Sequence, residues 1–419
     1  MGEVRTGELD VGDLIELELT TIAHGGHCIA HAQGRTLLVR HGLPGERVLA
    51  RVTAVASKVS RADAVQILRA SPRRVRPVCP HFQPGGCGGC DFQHADLGYQ
   101  RELKAQVIAD AFRRHASMPD LAVAVEPLAD PADLTGGPGA DGWHWRTRMR
   151  WQVDARGVVG LHPHRSSEVI GVTRCLIAAE GIDEPPAAAG LRGLELPAGV
   201  DMLRSVVGTD GEVTVLAGQD VIRGKRRSQQ RVRDRIWRVD PDTFWQSHPL
   251  AAPVLVDTVL RMATPSIGES WWDLFTGAGL FAAFLAKAVG PQGCVHAVEG
   301  SAQAVRDARR SLHDLPQIRL HHHEVGRWLE SAREPVDGVV LDPARTGLGV
   351  KAMARLAAVG PRVIVYVACD PVSLARDVAV AAECGYRLQE LRAFDAFAMT
   401  HHVELVAALV PRAGVDEIS

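Results

Sequence analysis

Asp273-Leu274-Phe275-Thr276-Gly277-Ala278-Gly279-Leu280-Phe281 ends the strand-like run Trp271–Leu274 and leads into a helical stretch, Leu280–Ala288. A strand that ends in a glycine-spaced turn and opens a helix begins a parallel α/β unit. Its glycines let the backbone approach a ligand at the carboxyl end of the strand, where open α/β sheets bind cofactors. Glu299 closes the next strand-like run, Cys294–Val298, about 20 residues on, where an acid can hold ribose hydroxyls. The third glycine of the dinucleotide fingerprint is absent, because position 282 is Ala. The pattern therefore fits S-adenosylmethionine better than NAD, and the turn alone is either a nucleoside-cofactor loop or a tight structural bend.

Working outward, strand-like Gly338–Leu341 and Val363–Val367 alternate with helical Ser301–His313, Val350–Ala358 and Ser373–Cys384. This alternation predicts a doubly wound α/β sheet over residues 236–419. A last pair, Arg387–Arg392 and Val403–Val410, has no room for a helix between its members and reads as an antiparallel, hairpin-like closure. Residues 1–70 read as a small β-barrel of the OB kind. Leu14–Thr20 alternates apolar and polar, and Thr36–Arg40 and Glu46–Val52 follow after glycine-rich turns. Between them, residues 71–235 hold a cysteine segment, an amphipathic helix at Leu97–His115, a glycine-rich connection at 136–142, and strand-like Met149–Val153, Val158–Leu161 and Glu212–Ala217. That makes a β-rich central domain.

Composition bounds the function. With 419 residues, 46% apolar and 23% charged, the chain is a globular protein of two or three domains. No apolar run reaches the roughly 18 residues of a membrane helix, and the first residues are too polar for a signal peptide. Met1–Thr6 also matches the loose N-myristoylation pattern, a motif too short to carry weight. The expectation is a cytoplasmic protein. A net charge of −2 excludes indiscriminate nucleic-acid binding through a global positive field. Only five of the 47 basic residues are lysine, a skew that a GC-rich genome explains as well as phosphate binding does. Eight cysteines are too few to staple such a chain, and thiols clustered in a reducing compartment point to a metal or to catalysis.

Three further stretches carry chemistry. Leu341-Asp342-Pro343-Ala344-Arg345-Thr346-Gly347 ends a later strand of the α/β sheet, so Asp342 either faces the crevice or caps a polar turn. Tyr366-Val367-Ala368-Cys369-Asp370-Pro371 puts Cys369 where a strand opens at the same edge, whereas Cys28, Cys294 and Cys384 read as small buried hydrophobes. Thr400-His401-His402-Val403-Glu404 starts the last strand, with Glu404 a surface carboxylate or a general base. Cys79, Cys87 and Cys90, joined by the distant Cys175, supply four thiolates able to hold zinc or an iron–sulfur cluster, and spacing alone does not choose.

Together these residues resemble the bacterial RNA 5-methyluridine methyltransferase family over nearly the whole chain and in the family's order. Tyr366–Pro371, continuing into Ser373-Leu374-Ala375-Arg376-Asp377, resembles its nucleophile motif, and Asp395–Glu404 resembles its base motif. Phe244-Trp245-Gln246-Ser247-His248 resembles its cofactor-contacting segment, and the N-terminal barrel resembles a TRAM domain. The resemblance implies S-adenosylmethionine-dependent formation of 5-methyluridine in structured RNA through a covalent Cys–C6 uracil adduct. Cys369 would be the nucleophile and Glu404 the base. Gln246, Phe275, Gly277, Gly279 and Glu299 would face the cofactor, with Asp342 in the crevice helping to hold uracil and nucleophile. It also implies a [4Fe–4S] cluster on Cys79, Cys87, Cys90 and Cys175 rather than zinc, with an insertion at Gln83–Gly86. The implied substrate is ribosomal rather than transfer RNA, bound by a monomer without a membrane partner. Glu324 is the expected adenosine-side contact.

Two basic stretches are expected to meet RNA. One concentrates Arg223, Lys225, Arg226, Arg227, Arg231, Arg233, Arg235 and Arg238. The other, Trp143–Trp151, interleaves aromatics with arginines. The chain departs from the family pattern at Asp370 (Asn is common), Ala344 (Pro) and His248 (Asn). Two rival classes are a non-catalytic RNA-binding protein that keeps the fold and an NAD-linked iron–sulfur oxidoreductase. Cys369 with Glu404 speaks against the first, and Ala282 against the second.

Overall fold

The computed structural model describes residues 9–128, 139, 141–186, 199–332 and 334–412. Met1–Thr6 and most of the 136–142 connection fall outside them. The barrel comprises β1 (Leu14–Glu18), β2 (Thr21–Ala23), β3 (His27–Ala32), β4 (Arg35–Arg40), β5 (Arg47–Ala54) and β6 (Val59–Arg69). Their order is β1-β5-β6-β4-β3-β2. Leu19 N–H donates to the Glu46 carbonyl and Thr20 N–H to that of Ile29. β1 and β2 are thus one bent strand that closes the sheet on itself. Alternating Leu17, Leu19, Leu37, Val39, Val48 and Ala50 fill the interior, and Phe92, Ala95 and Leu103 from the following segment plug it.

Helix α1 (Leu97–His115) starts where Asp96 accepts from Tyr99 N–H. β7 (Val125–Pro127) follows. The central domain is an antiparallel sheet of β8 (Arg148–Val153), β9 (Val159–Leu161), β10 (Ile170–Gly171), β11 (Met202–Val207), β12 (Val213–Ala217) and β13 (Asp220–Arg223), then a hairpin of β14 (Ser228–Val232) and β15 (Arg235–Val239).

The remaining elements are α2 (Ala251–Ala263), β16 (Ser270–Leu274), α3 (Leu280–Val289), β17 (Cys294–Glu299), α4 (Ala302–Ser311), β18 (Ile318–His322), α5 (Val325–Ser331), β19 (Gly338–Leu341), α6 (Val350–Val359), β20 (Val363–Ala368), α7 (Pro371–Glu383), β21 (Tyr386–Asp395) and β22 (Glu404–Pro411). One sheet, in the order β18-β17-β16-β19-β20-β22-β21-β7, collects them. Its first five strands are parallel, and β22 runs antiparallel between β20 and β21. The expected closure is present, but the later strand of the pair inserts next to β20. The connection 396–403 must therefore return to the edge where the parallel strands end. α2, α3 and α4 cover one face; α5, α6 and α7 cover the other, together with α1. β7 extends the sheet beside β21, so residues 97–127 pack with the C-terminal sheet rather than with the central one. No helix among the described residues is long and apolar enough to cross a membrane.

Candidate active site

At the carboxyl edge of β16, β19 and β20 lies a cleft of about 700 Å³ that the central domain and the Cys87–Asp91 loop help to wall. Gln246, Phe275, Gly277, Glu299, Asp342, Cys369 and Glu404 all line it. Residues 246 to 404 are thus gathered into one space by the sheet order.

The turn after β16 is built by its own backbone. Phe275 and Gly277 adopt φ of +62° and +57°; for Phe275 that conformation costs on the order of 1–3 kcal/mol. Buried Asp273 accepts from the Thr276 hydroxyl and, at 2.7 Å, from Ala282 N–H. The Glu299 carboxylate accepts from Gly277 N–H at 2.9 Å and Ser301 N–H at 2.6 Å. The acid that closes β17 therefore holds the glycine turn and still faces the cleft. Gly279 serves differently. It does not line the cleft; its φ is +84°, and a Cβ there would come within 2.4 Å of Leu312 Cδ1. Glycine at 279 is a packing requirement. Glu324 also lies outside the cleft, where it caps α5 by accepting from Gly326 and Arg327 N–H.

The reacting edge is short of partners. Gln246 Nε2 reaches Asp342 Oδ2 at 3.5 Å. Neither Asp342 nor Glu404 makes an ion pair among the described residues. Burial raises the Asp342 carboxyl well above the ordinary carboxylate range, helped by the charge of Asp273. Burial, then Asp342, raises Glu404 well above the ordinary carboxylate range. The Cys369 thiol is pushed up to about 12 by burial and by Glu404 and Asp342, against a smaller opposing pull from Arg345. Such a site favours a positively charged occupant.

All four predicted cysteine ligands, Cys79, Cys87, Cys90 and Cys175, line a second, small cavity of about 30 Å³; Gly89 and Arg146 border both spaces. The extra residues between Cys79 and Cys87 fold into a local turn, with Gly86 N–H on the Gln83 carbonyl and Cys87 N–H on that of His81. Gly89 N–H points at Cys87 Sγ at 3.4 Å. Burial and neighbouring thiols raise Cys87 to about 11. Among the described residues, no three His, Cys, Asp or Glu side chains are grouped tightly enough to hold a metal ion.

Half of the basic residues in the first stretch have acidic partners. Arg226, Arg227, Arg233 and Arg235 are committed to Asp240, Asp307, Asp257 and Asp314; three of these pairs tie the hairpin to the C-terminal domain. Trp145 and Trp151 are buried, Trp145 against His248 and Phe397, so this interleaving is mostly core. Arg146 alone of that stretch's arginines lines the cleft.

Sequence reading missed the residues that brace the loop before Glu404. Lys104 of α1 donates to Asp395 Oδ1 at 2.5 Å and to the Phe397 carbonyl at 3.1 Å. Gln100 Oε1 accepts from Met399 N–H at 2.9 Å. A lysine and a glutamine on a helix with a polar face give no local sign of partners some 290 residues away.

Residues 8–65 match the TRAM domain, and residues 206–411 match the tRNA (uracil-5-)-methyltransferase family. An RNA methyltransferase without assigned substrate from Streptomyces avermitilis is 40% identical, over 96% of this chain and 99% of its own. The chain belongs to this family of RNA methyltransferases. A 23S rRNA (uracil(1939)-C(5))-methyltransferase from Shewanella sp. MR-7 is 30% identical over 92% of this chain and 93% of its own. The solved structure of the Pyrococcus abyssi tRNA (uracil-54, C5)-methyltransferase, in complex with S-adenosyl-L-homocysteine, superposes with a TM-score of 0.68. It covers 94% of this chain and 99% of that one at 22% identity, a likeness of fold.

Proposed function

We propose that this enzyme transfers methyl from S-adenosylmethionine to C5 of a uridine in structured RNA, ribosomal rather than transfer RNA. The observation that carries the reading is the convergence of Cys369, Glu404 and Asp342 on one cleft with the glycine turn and Gln246. S-adenosylmethionine supplies an electrophilic methyl on a sulfonium, and its charge suits a cleft where, among the described residues, the buried Asp342 and Glu404 make no ion pair. Gln246, Phe275, Gly277 and Glu299 would hold it.

C5 of uracil is a weak nucleophile. The Cys369 thiol passes its proton to solvent and adds at C6 as thiolate, moving the C5–C6 π electrons to C5; C5 then takes the methyl as its bond to the sulfonium sulfur breaks and S-adenosylhomocysteine leaves. After C5 has gained the methyl, Glu404 as carboxylate removes the C5 proton. The electrons of that C–H bond restore the C5–C6 double bond and expel the thiolate. Asp342 holds uracil in place. Burial holds the Cys369 thiol protonated in the bare cleft, and the positive charge of the bound cofactor would favour its ionisation. The target base must leave its stack to reach the cleft.

We further propose that Cys79, Cys87, Cys90 and Cys175 hold an iron–sulfur cluster. Four cysteines around one cavity supply the thiolate set such a cluster takes, and the preference over zinc rests on the family resemblance. The backbone N–H on Cys87 Sγ is a donor that a ligating thiolate uses. The cluster would brace the neighbouring catalytic loop, as Asp91 and Phe92 N–H both bond the Met399 carbonyl. The enzyme is taken to act as a cytoplasmic monomer.

The test is transfer of labelled methyl to unmodified 23S and transfer RNA transcripts by anaerobically purified protein, followed by digestion to nucleosides. We expect label in 5-methyluridine from the ribosomal transcript. Label in another nucleoside, or only in transfer RNA, would overturn the chemistry or the substrate respectively.

A further inference from the structure

The two loops that carry the reacting groups are each held by a side chain from outside the catalytic domain. Asp370, next to Cys369, caps α7 with one oxygen, accepting from Val372 N–H at 3.0 Å and Ser373 N–H at 2.8 Å. Its other oxygen meets Nε2 of His24 at 2.8 Å, and His24 stands in the barrel turn between β2 and β3. On the second loop, His401 donates from Nδ1 at 2.6 Å and from its backbone N–H at 3.1 Å to Asp91 Oδ2. The other Asp91 oxygen takes Nη2 of Arg40, on barrel strand β4, at 3.3 Å.

The same barrel turn seats both contacts. Gly26 has φ +75°, and a Cβ there would fall 2.9 Å from that of Asp91 and 3.1 Å from that of His401. The His24 and His401 rings meet edge-on, with centroids 6.1 Å apart. An RNA-binding handle needs none of this, since a barrel on a linker would bind RNA as well.

We propose that His24 is a positioning residue for methyl transfer: the β2–β3 turn, through His24–Asp370 and through its seat on Asp91–His401, fixes Cys369 and Glu404 relative to one another. The barrel is then a wall of the active site. This rests on the methyltransferase reading above. Asn in place of Asp370 keeps a good helix cap but loses the charge-assisted partner of His24.

The experiment compares full-length wild type, His24→Ala, Asp370→Asn and the double variant, at saturating S-adenosylmethionine, on whichever transcript the wild type methylates. Each single change is expected to lower kcat by about tenfold, as small misplacements of reacting groups do, with KM for RNA within about twofold. The double variant is expected to fall no further than the worse single, the non-additivity of a shared contact. Unchanged kcat, a loss confined to KM for RNA, or multiplying losses would each overturn the proposal. His24→Gln, which keeps a donor, carries the test if His24→Ala does not fold. Iodoacetamide alkylation of Cys369, followed by peptide mass spectrometry, reads the same positioning without methyl transfer. A faster reaction in His24→Ala is expected, and an unchanged one sinks the proposal even if the wild type methylates neither RNA.

Discussion

The floor and the rim of the cleft use the same residue types in opposite ways. On the floor, Asp342 and Glu404 are buried with little to bond, and burial raises both. On the rim, Asp91 and Asp370 have imidazole, guanidinium or backbone partners. Those partners outweigh burial and hold both carboxyls at about 2. Cys369 and Asp370 are adjacent in sequence yet belong to different sides of this division. Carboxylates with satisfied bonds build the loops; carboxylates left short of bonds await a charged ligand and a substrate.

The division can be broken at its floor first. Cys369→Ala should lower methyl transfer by at least roughly a thousandfold, with S-adenosylmethionine binding by calorimetry preserved. Glu404→Gln should cost about a hundredfold and differ in kind, because the adduct forms but is not released. RNA-linked protein should then accumulate on denaturing gels; a variant that is slow without such a species would remove Glu404 from the base role. Thiol reactivity sharpens the electrostatic half. With Cys369 pushed up to about 12, alkylation of the bare enzyme should be slow near pH 7 and climb without a plateau below pH ~11. S-adenosylmethionine should accelerate it, and uncharged S-adenosylhomocysteine should not.

The rim makes smaller demands on activity and larger ones on stability. Lys104→Met leaves Asp395 buried without its cation and should destabilise by about 3–5 kcal/mol in urea unfolding; adding Asp395→Leu should recover much of that. The Asp370 carboxyl lies below its ordinary value, so its stabilising contribution is full above pH ~4 and is lost as pH falls from there towards 2. Asp370→Asn lacks that contribution throughout, and its stability should decline less steeply over this window.

Much of the floor was legible because it is written at strand ends. Strand, glycine turn and helix at 271–288, the acid at 299, Asp342 before Pro343 and Cys369 at the end of an apolar strand are local patterns that a parallel sheet brings to one edge. β18 went unseen because an edge strand half open to solvent, Ile318–His322, lacks an apolar run. Strands β3 and β6 and helix α2 carry no pattern that announces them; β22 pairs with its sequence neighbour β21 as the closure requires, while its insertion beside β20 does not follow from the sequence. The spacing marks Gly279 as a ligand position; the structure places it outside the cleft lining at φ +84°, with a Cβ there meeting Leu312. The rim was illegible for a general reason. Lys104 with Asp395, His401 with Asp91 and His24 with Asp370 are pairs hundreds of residues apart, and a single sequence gives such pairs no period or spacing. In the arginine-rich run before residue 239, Arg226, Arg227, Arg233 and Arg235 pair with aspartates 14 to 80 residues further on, and no spacing in the run announces those partners.

The central claim is that Cys369 attacks uracil from the floor of this cleft, and one measurement meets it directly. The enzyme is incubated with S-adenosylmethionine and RNA in which uridine is replaced by 5-fluorouridine. Fluorine at C5 cannot leave as a proton does, so the adduct cannot collapse. Peptide mass spectrometry should find the methylated fluorouridine nucleotide on the peptide bearing Cys369. An adduct on another residue, or methylated RNA with no adduct, would contradict the account.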